Sequence, residues 1–174
     1  MRDLHLEKEL LKQCIFLIFR HFPNLSSKWH DGCLSSRFIM KSNNRMQILV
    51  VEDDINDIHL LSHQLAKAHI DDHVVFINDG KEAHDYLLRT PFPPIAIFLD
   101  LHLPGIGGVE LLERMRQDPR TQAIPVIVMT GFNDPYDMKR CNQLGITAYL
   151  QKPIELTVFI KTIAHLFPEI AVLK

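Results

Sequence analysis

Cysteine is scarce in this chain. The three residues present, Cys14, Cys33 and Cys141, are odd in number, widely spaced and form no CxxC pair. That argues against a disulfide framework or a thiolate zinc site and fits reduced thiols. Long hydrophobic runs are missing too. The longest near the start is Cys14–Phe19, far short of the ~20 apolar residues that cross a bilayer. A secretory leader is a poor fit, because Asp3, Glu7 and Glu9 stand where a basic stretch should be. Excess positive charge is absent from most of the chain. Residues 46–174 hold eleven Lys/Arg against seventeen Asp/Glu, a net of −6, whereas residues 1–45 hold eight against four. An acidic body argues against tracking nucleic-acid phosphates, which takes basic side chains, and the basic head is too short and mixed to reverse that. No internal repeat or low-complexity tract is visible. The expectation is a cytoplasmic protein with no membrane or nucleic-acid partner.

What is present is a globular core. Apolar residues make up 47 % of the 174 and charged residues 23 %, enough for one domain of ordinary size with some chain left over. From Met46 onward, short β-branched runs alternate with helical patterns. The runs Ile48–Val51, Val74–Ile77, Ile95–Leu99, Val126–Met129 and Ala148–Leu150 have the look of buried parallel strands. Between them, Ile58, Leu61 and Leu65 share one helix face, as do Val109, Leu112 and Met115. Five strands alternating with five helices predict an α/β doubly wound, flavodoxin-like fold with a five-stranded parallel sheet in the order 2-1-3-4-5. Helix punctuation agrees: Asp79-Gly80 precedes the second helix, Pro119 follows the third, Gly145 closes the fourth and Pro153 opens the fifth, expected over Ile154–Leu166. Two regions result, an N-terminal extension over 1–45 and the domain proper over 46–174. In the extension, Leu4, Leu11, Ile15, Ile18 and Phe22 fall at helical spacing, and Asn24–Asn44 reads as a polar connector. It is open whether this head is a loosely ordered appendage or a docking or dimerisation helix.

In an open parallel sheet, ligands bind at the carboxyl ends of the strands near the switch in strand order. Glu52, Asp53 and Asp54 follow the first run, Asp100 the third, Thr130 the fourth and Lys152 the fifth. These strands neighbour one another in the expected order, so the side chains would converge. Carboxylates that close repel unless a cation neutralises them. A hard divalent ion with oxygen ligands answers that need, and Mg2+ suits it because it keeps positions open for water and phosphate. Lys152 adds a second positive charge and Thr130 a hydroxyl. Such a pocket would hold a phosphoryl group beside a carboxylate, the setting for phosphoryl transfer to Asp.

Four stretches then carry a specific resemblance. Ile48-Leu49-Val50-Val51-Glu52-Asp53-Asp54 resembles the acidic opening of the receiver domain of bacterial two-component response regulators. Phe98-Leu99-Asp100-Leu101-His102-Leu103-Pro104 with Gly107-Gly108 resembles that family's phosphoacceptor loop. Pro125–Gly131 resembles its switch-Thr strand, and Ala148–Pro153 its Lys-Pro strand end. Thr130 lies 30 residues after Asp100 and Lys152 lies 22 after Thr130, separations that suit the family. The resemblance implies that Asp100 is the phosphoacceptor, and that Asp53, Glu52 (through water), Asp100 and the His102 backbone carbonyl hold Mg2+. It implies that Lys152 and Thr130 bond phosphoryl oxygens, and that Tyr149 is the aromatic that turns inward when the Thr moves. Glu52–Asp57, Asp79-Gly80 and Tyr86-Leu87 look most like the small regulators paired with phytochrome-type histidine kinases. Gly107 departs from the pattern, standing where many relatives have Asp, which should alter loop stiffness more than chemistry. His102 and Phe132 occupy flanks thought to tune phosphoryl lifetime.

The resemblance implies a switch that modifies itself, fed by a sensor histidine kinase or phosphotransfer protein. Only 22 residues follow Lys152, room for one helix and the apolar tail Ile170–Leu173, so output is expected through contacts. A homodimer or partner would use the face of the fourth helix, fifth strand and fifth helix. Two rivals stand beside this reading. One is an Asp-nucleophile, Mg2+-dependent phosphatase, which would place its D-x-D after the first strand and need a cap. The other is a phosphorylation-independent interaction module, against which the intact Asp, Thr and Lys set speaks. His59 and His63, spaced i,i+4, could pair on a metal but have no evident third ligand.

Overall fold

A computed structural model describes residues 47–166 apart from 69–70 and 132–133, with Asp72 described by its backbone alone. The expected extension over 1–45, the tail at 170–173, Cys14, Cys33 and Phe132 all lie outside the described residues.

Five strands form one parallel sheet in the order β2-β1-β3-β4-β5: β1 Ile48–Val51, β2 Val74–Ile77, β3 Ala96–Asp100, β4 Val126–Thr130 and β5 Ala148–Gln151. All four strand pairs are parallel and in step; Val51 stands beside Ile77 and Leu99, and Thr130 beside Gln151. Strands β1, β3 and β4 are buried at every position, which is why they read as apolar runs up to the polar residues Asp100 and Thr130 that end β3 and β4. The helices are α1 Ile55–Lys67, α2 Gly80–Arg89, α3 Gly108–Gln117, α4 Pro135–Gln143 and α5 Leu156–Leu166. A short 3₁₀ turn at Asp71–His73 leads into β2.

Alternate side chains of the strands feed two cores. Ile48, Val50, Phe98, Ile127 and Met129 face Leu61 and Leu65 of α1 and Phe159 and Ile163 of α5, with Phe98 stacked on Phe159 at 4.3 Å. Leu49, Val51, Leu99 and Val128 face the other way, onto Leu87 of α2, Leu112 and Met115 of α3 and Cys141 of α4. The periodicity of 2 in the strands and 3.6 in the helices therefore meets on both sides of the sheet.

The caps follow local chemistry. Asp54, Asp79 and Asp134 each accept a backbone N–H from the first turn of α1, α2 and α4, satisfying donors that helix starts leave open. Gly145 takes a positive φ of 69° just after α4, a conformation glycine adopts at least cost.

Four elements differ from expectation in their bounds: β3 begins one residue later, at Ala96, β5 ends one residue later, at Gln151, and the end of β3, the end of β4 and the start of the last helix, which bear on the site, also shift. β3 and β4 run one residue further, so Asp100 and Thr130 are the last rungs of the ladder rather than residues beyond it; the backbone at Asp100 still pairs with Met129. Pro153 does not open the last helix. Ile154 turns into the core at 8 % exposure, and the backbone N–H groups of Val158 and Phe159 bond to the Glu155 carbonyl. The helix therefore begins at Leu156, whose N–H donates to Gln64 Oε1 at 2.8 Å.

Candidate functional site

The carboxyl edge of the sheet gathers the polar residues that follow the strands. Glu52 is 3 % exposed, Asp100 4 % and Thr130 3 %, unusual depths for such groups without partners. The partner is Lys152, on the residue just past β5. Its Nζ lies 2.6 Å from the Glu52 carboxylate, donates to Asp100 Oδ2 and stands 3.4 Å from Asp57 Oδ2. Backbone donors complete the carboxylates: Asp54 N–H to Glu52 Oε1 at 3.1 Å and His102 N–H to Asp100 Oδ1 at 3.1 Å.

Carboxylate oxygens of Glu52, Asp53 and Asp100 lie within 4.8 Å of one another. Glu52 and Asp100 are buried and Asp53 is exposed, so the group opens to solvent on one side. All the donors are hard oxygens, the set a divalent ion of the Mg2+ or Mn2+ type accepts. The electrostatics are those of a site short of positive charge. Burial pushes the Glu52 carboxyl up to about 7 against the pull of its bond to Lys152, with Asp100 raising it further. Burial works against the Lys152 charge, but its bonds to Asp100 and Glu52 outweigh that and hold the ammonium above its ordinary value.

The loop after Asp100 is fixed by glycine. A Cβ on Gly108 would come within 2.1 Å of the Asp100 carbonyl oxygen, and one on Gly80 within 1.9 Å of the Ile106 carbonyl oxygen. Gly108 N–H also bonds to the Leu101 carbonyl at 3.0 Å. The start of α3 thus presses directly on the strand end that carries Asp100.

Thr130 ends β4, and its carbonyl accepts Lys152 N–H at 3.0 Å. Tyr149 lies on the other side of β5 from Leu150, packed against the core under α2–α4. Its hydroxyl donates to the Met138 carbonyl of α4 at 2.8 Å, and burial followed by the neighbouring Cys141 pushes it up to about 12. His102 is exposed, its Nδ1 3.9 Å from Asp100 Oδ1. Sequence reasoning did not reach Asp57. The signal was there, since Asp57 lies one helical turn past Asp53 and so returns toward the same strand end. His59 and His63 are exposed on α1, and the acidic trio is the single group of three or more such ligands among the described residues.

A doubly wound domain with an acidic trio and a lysine at the carboxyl edge of β1, β3 and β5 defines a class. Residues 48–164 match the response regulator receiver domain, and the chain belongs to that family. It is 32 % identical to response regulator Rcp1 of Synechocystis sp. over 129 residues, 71 % of this chain and 87 % of that protein. Among solved structures it resembles the bacteriophytochrome response regulator AtBRR, at 35 % identity and a TM-score of 0.62 over 70 % of this chain and 92 % of that one. It also resembles the Mn2+-bound form of Rcp1, at 30 % identity and a TM-score of 0.58 over 69 % and 90 %. Other curated relatives are larger, and the chain spans between 34 % and 52 % of three of them. The chain is therefore a receiver domain homologous to regulators of the phytochrome-associated kind, one of which, Rcp1, has a solved Mn2+-bound form. No described helix is long and apolar enough to cross a membrane.

Proposed function

We propose that the protein is a cytoplasmic phospho-switch that takes a phosphoryl group onto Asp100. The observation that carries this reading is the pairing of the acidic trio with one lysine: three carboxylates within 4.8 Å, two of them buried and bonded to Lys152 Nζ. A purely structural ion pair needs no third carboxylate open to solvent. Glu52, Asp53, Asp100 and the His102 carbonyl would hold Mg2+, which when bound neutralises charge on the phosphoryl oxygens.

The donor is a phosphohistidine of a sensor kinase or phosphotransfer protein. An Asp100 oxygen attacks phosphorus in line, the P–N bond to the donor imidazole breaks, and an acyl phosphate forms. Lys152 moves from the carboxylate pair to a phosphoryl oxygen, and the Thr130 hydroxyl bonds another. Hydrolysis later restores the carboxylate, so the chain catalyses its own modification and no other turnover. Output runs through the α4–β5–α5 face, where Tyr136 and Val158 are 67 % and 40 % exposed and suit a homodimer or a protein partner. Tyr149 reports the state of Thr130 to that face by exchanging its bond to Met138 for an inward position.

The test is intact mass after incubation with phosphoramidate and Mg2+. One phosphoryl group is expected on the wild type, dependent on metal and absent from Asp100→Asn. No addition with phosphoramidate or with a phosphohistidine donor would overturn the reading and leave a domain that works by constitutive binding.

A further inference from the structure

Lys152 faces a carboxylate that the acidic trio does not include. Its backbone is fixed, because its N–H bonds to the Thr130 carbonyl at 3.0 Å, and its side chain is 14 % exposed. Nζ sits between Glu52 and Asp100, while Asp57 Oδ2 stands 3.4 Å away on the α1 side. Asp57 is no part of the Glu52, Asp53 and Asp100 group whose oxygens lie within 4.8 Å of one another. Nor does α1 need it as a cap, since Asp54 is the N-cap and accepts Asn56 N–H at 2.8 Å. Toward the core, Val50, Met129 and Ile154 join Glu52, Asp57 and Lys152 around a pocket of only about 10 Å³, roughly the space of one water. An ammonium cannot retreat into apolar surroundings without partners. Its freedom therefore lies sideways, between Asp100 and Asp57.

We infer that Asp57 is a positioning residue for phosphoryl transfer, the partner that holds Lys152 in place once Glu52 and Asp100 are engaged elsewhere. The inference rests on the phospho-switch reading above. In that chemistry an Asp100 oxygen becomes bonded to phosphorus, and Glu52 and Asp100 both belong to the oxygen set that suits a divalent ion. Lys152 must then loosen its hold on both. A lysine ammonium on its flexible stem, left without a neighbour, has many positions to sample. Asp57 answers neither demand and stays within ion-pairing reach on the first turn of a helix. Its pull from the α1 side keeps the ammonium beside the acceptor oxygen, already oriented when the phosphoryl group arrives. The same charge also faces an anionic donor and opposes its approach. Asp57 touches neither donor nor phosphorus and acts through Lys152.

Labelling of the full chain over a range of phosphoramidate concentrations, read by intact mass, tests it. Asp57→Asn should lower the maximal rate at Asp100 by about tenfold. The half-saturating donor concentration should stay level or fall, because a negative charge has gone. Mere loosening of α1 would not split the two parameters in this way. Asp57→Glu, which keeps the carboxylate, should recover most of the maximal rate. A second readout uses no metal: with isotope-labelled lysine and chelator present, the Lys152 ammonium signal in NMR should shift in Asp57→Asn. An Asp57→Asn chain within about twofold of the wild-type maximal rate overturns the inference. So does an unmoved Lys152 signal, or an Asp57→Glu chain as slow as Asp57→Asn. Those results leave the phospho-switch reading standing, whereas a wild type that takes no phosphoryl group brings down both.

Discussion

The two halves of the site are held in different ways. On the β1–β3 side, α3 buries Gly108, Leu111, Leu112 and Met115, and its first residue sits against the Asp100 backbone with no room for a Cβ. On the β4–β5 side, α4 buries Cys141 alone. Polar bonds do the rest there: Tyr149 to Met138, Arg140 to Glu113, and Arg116 to the Leu144 and Gly145 carbonyls at 2.8 and 3.2 Å. Backbone contact and close packing allow one arrangement. A few hydrogen bonds at a half-buried helix can be exchanged for others at small cost. The difference teaches which half can respond: the acidic half must stay still to hold charge in register, and α4 is the element with the least to lose by moving.

The largest break in that comparison should come from Gly108→Val. The new side chain would collide with the Asp100 carbonyl and the Leu101 Cα, and neither is the yielding end of a flexible side chain. A loss on the order of 3 kcal/mol or more is expected in urea unfolding. A comparable loss at exposed Gly131, where a Cβ meets nothing within 4 Å, would contradict it.

Next in size is a pH effect on the acidic half with divalent metal removed. The Glu52 carboxyl sits at about 7 in the folded protein against 4.5 when unperturbed, so the folded state holds that proton more tightly than the unfolded chain. The stability this contributes is whole below pH 4.5 and is lost as pH rises to about 7. Lys152, raised above its ordinary 10.5, contributes stability that persists to higher pH and does not mask the fall. The urea midpoint in chelator should therefore decline between about pH 4.5 and 7, and Glu52→Gln should flatten the decline. A wild-type midpoint that climbs across that window would remove the argument.

Much of this was legible beforehand, and the reasons are physical. Strands buried on both faces are apolar wherever no polar partner waits for the side chain, so β1 and the stretches of β3 and β4 ahead of Asp100 and Thr130 stood out as runs. The first polar residue after each run then marked the carboxyl edge. The one-residue extensions to Asp100 and Thr130 were hidden because the backbone goes on pairing after the side-chain pattern has changed. The late start of α5 was hidden because Ile154 fits a helical apolar series equally well while turning into the core ahead of the helix. The Tyr149–Met138 bond joins residues 11 apart through a helix and a turn, and no local pattern encodes it. The close approach of Gly108 to Asp100 was visible only as a glycine pair, since a sequence does not say what a glycine touches.

On the movable half, Tyr149→Phe deletes the hydroxyl that holds Met138 and leaves the ring. A loss of ~1 kcal/mol is expected, with faster amide exchange confined to α4. Arg140→Met should lose no more than ~1 kcal/mol, as its pair with Glu113 is partly exposed. Equal acceleration in α3 would mean that the two helices open together and that the contrast between them fails.

The smallest effect sharpens the comparison from the fixed side. Gly107 is the N-cap of α3, with φ −64° and ψ 157°, and no side chain caps that helix. Those angles suit any residue, and a Cβ there would meet only the Leu101 carbonyl oxygen at 3.8 Å. Gly107→Asp should therefore add a capping carboxylate, favoured at a helix start, and reduce the freedom of the unfolded chain. The gain is about 0.5–1 kcal/mol by those two effects together. It should appear as a higher urea midpoint with unchanged phosphoramidate labelling at Asp100, because the cap stiffens a loop that Gly108 already holds in place. A gain in stability with a changed labelling rate would mean that the Asp100 loop moves during transfer, and that the β1–β3 half is less fixed than its packing implies.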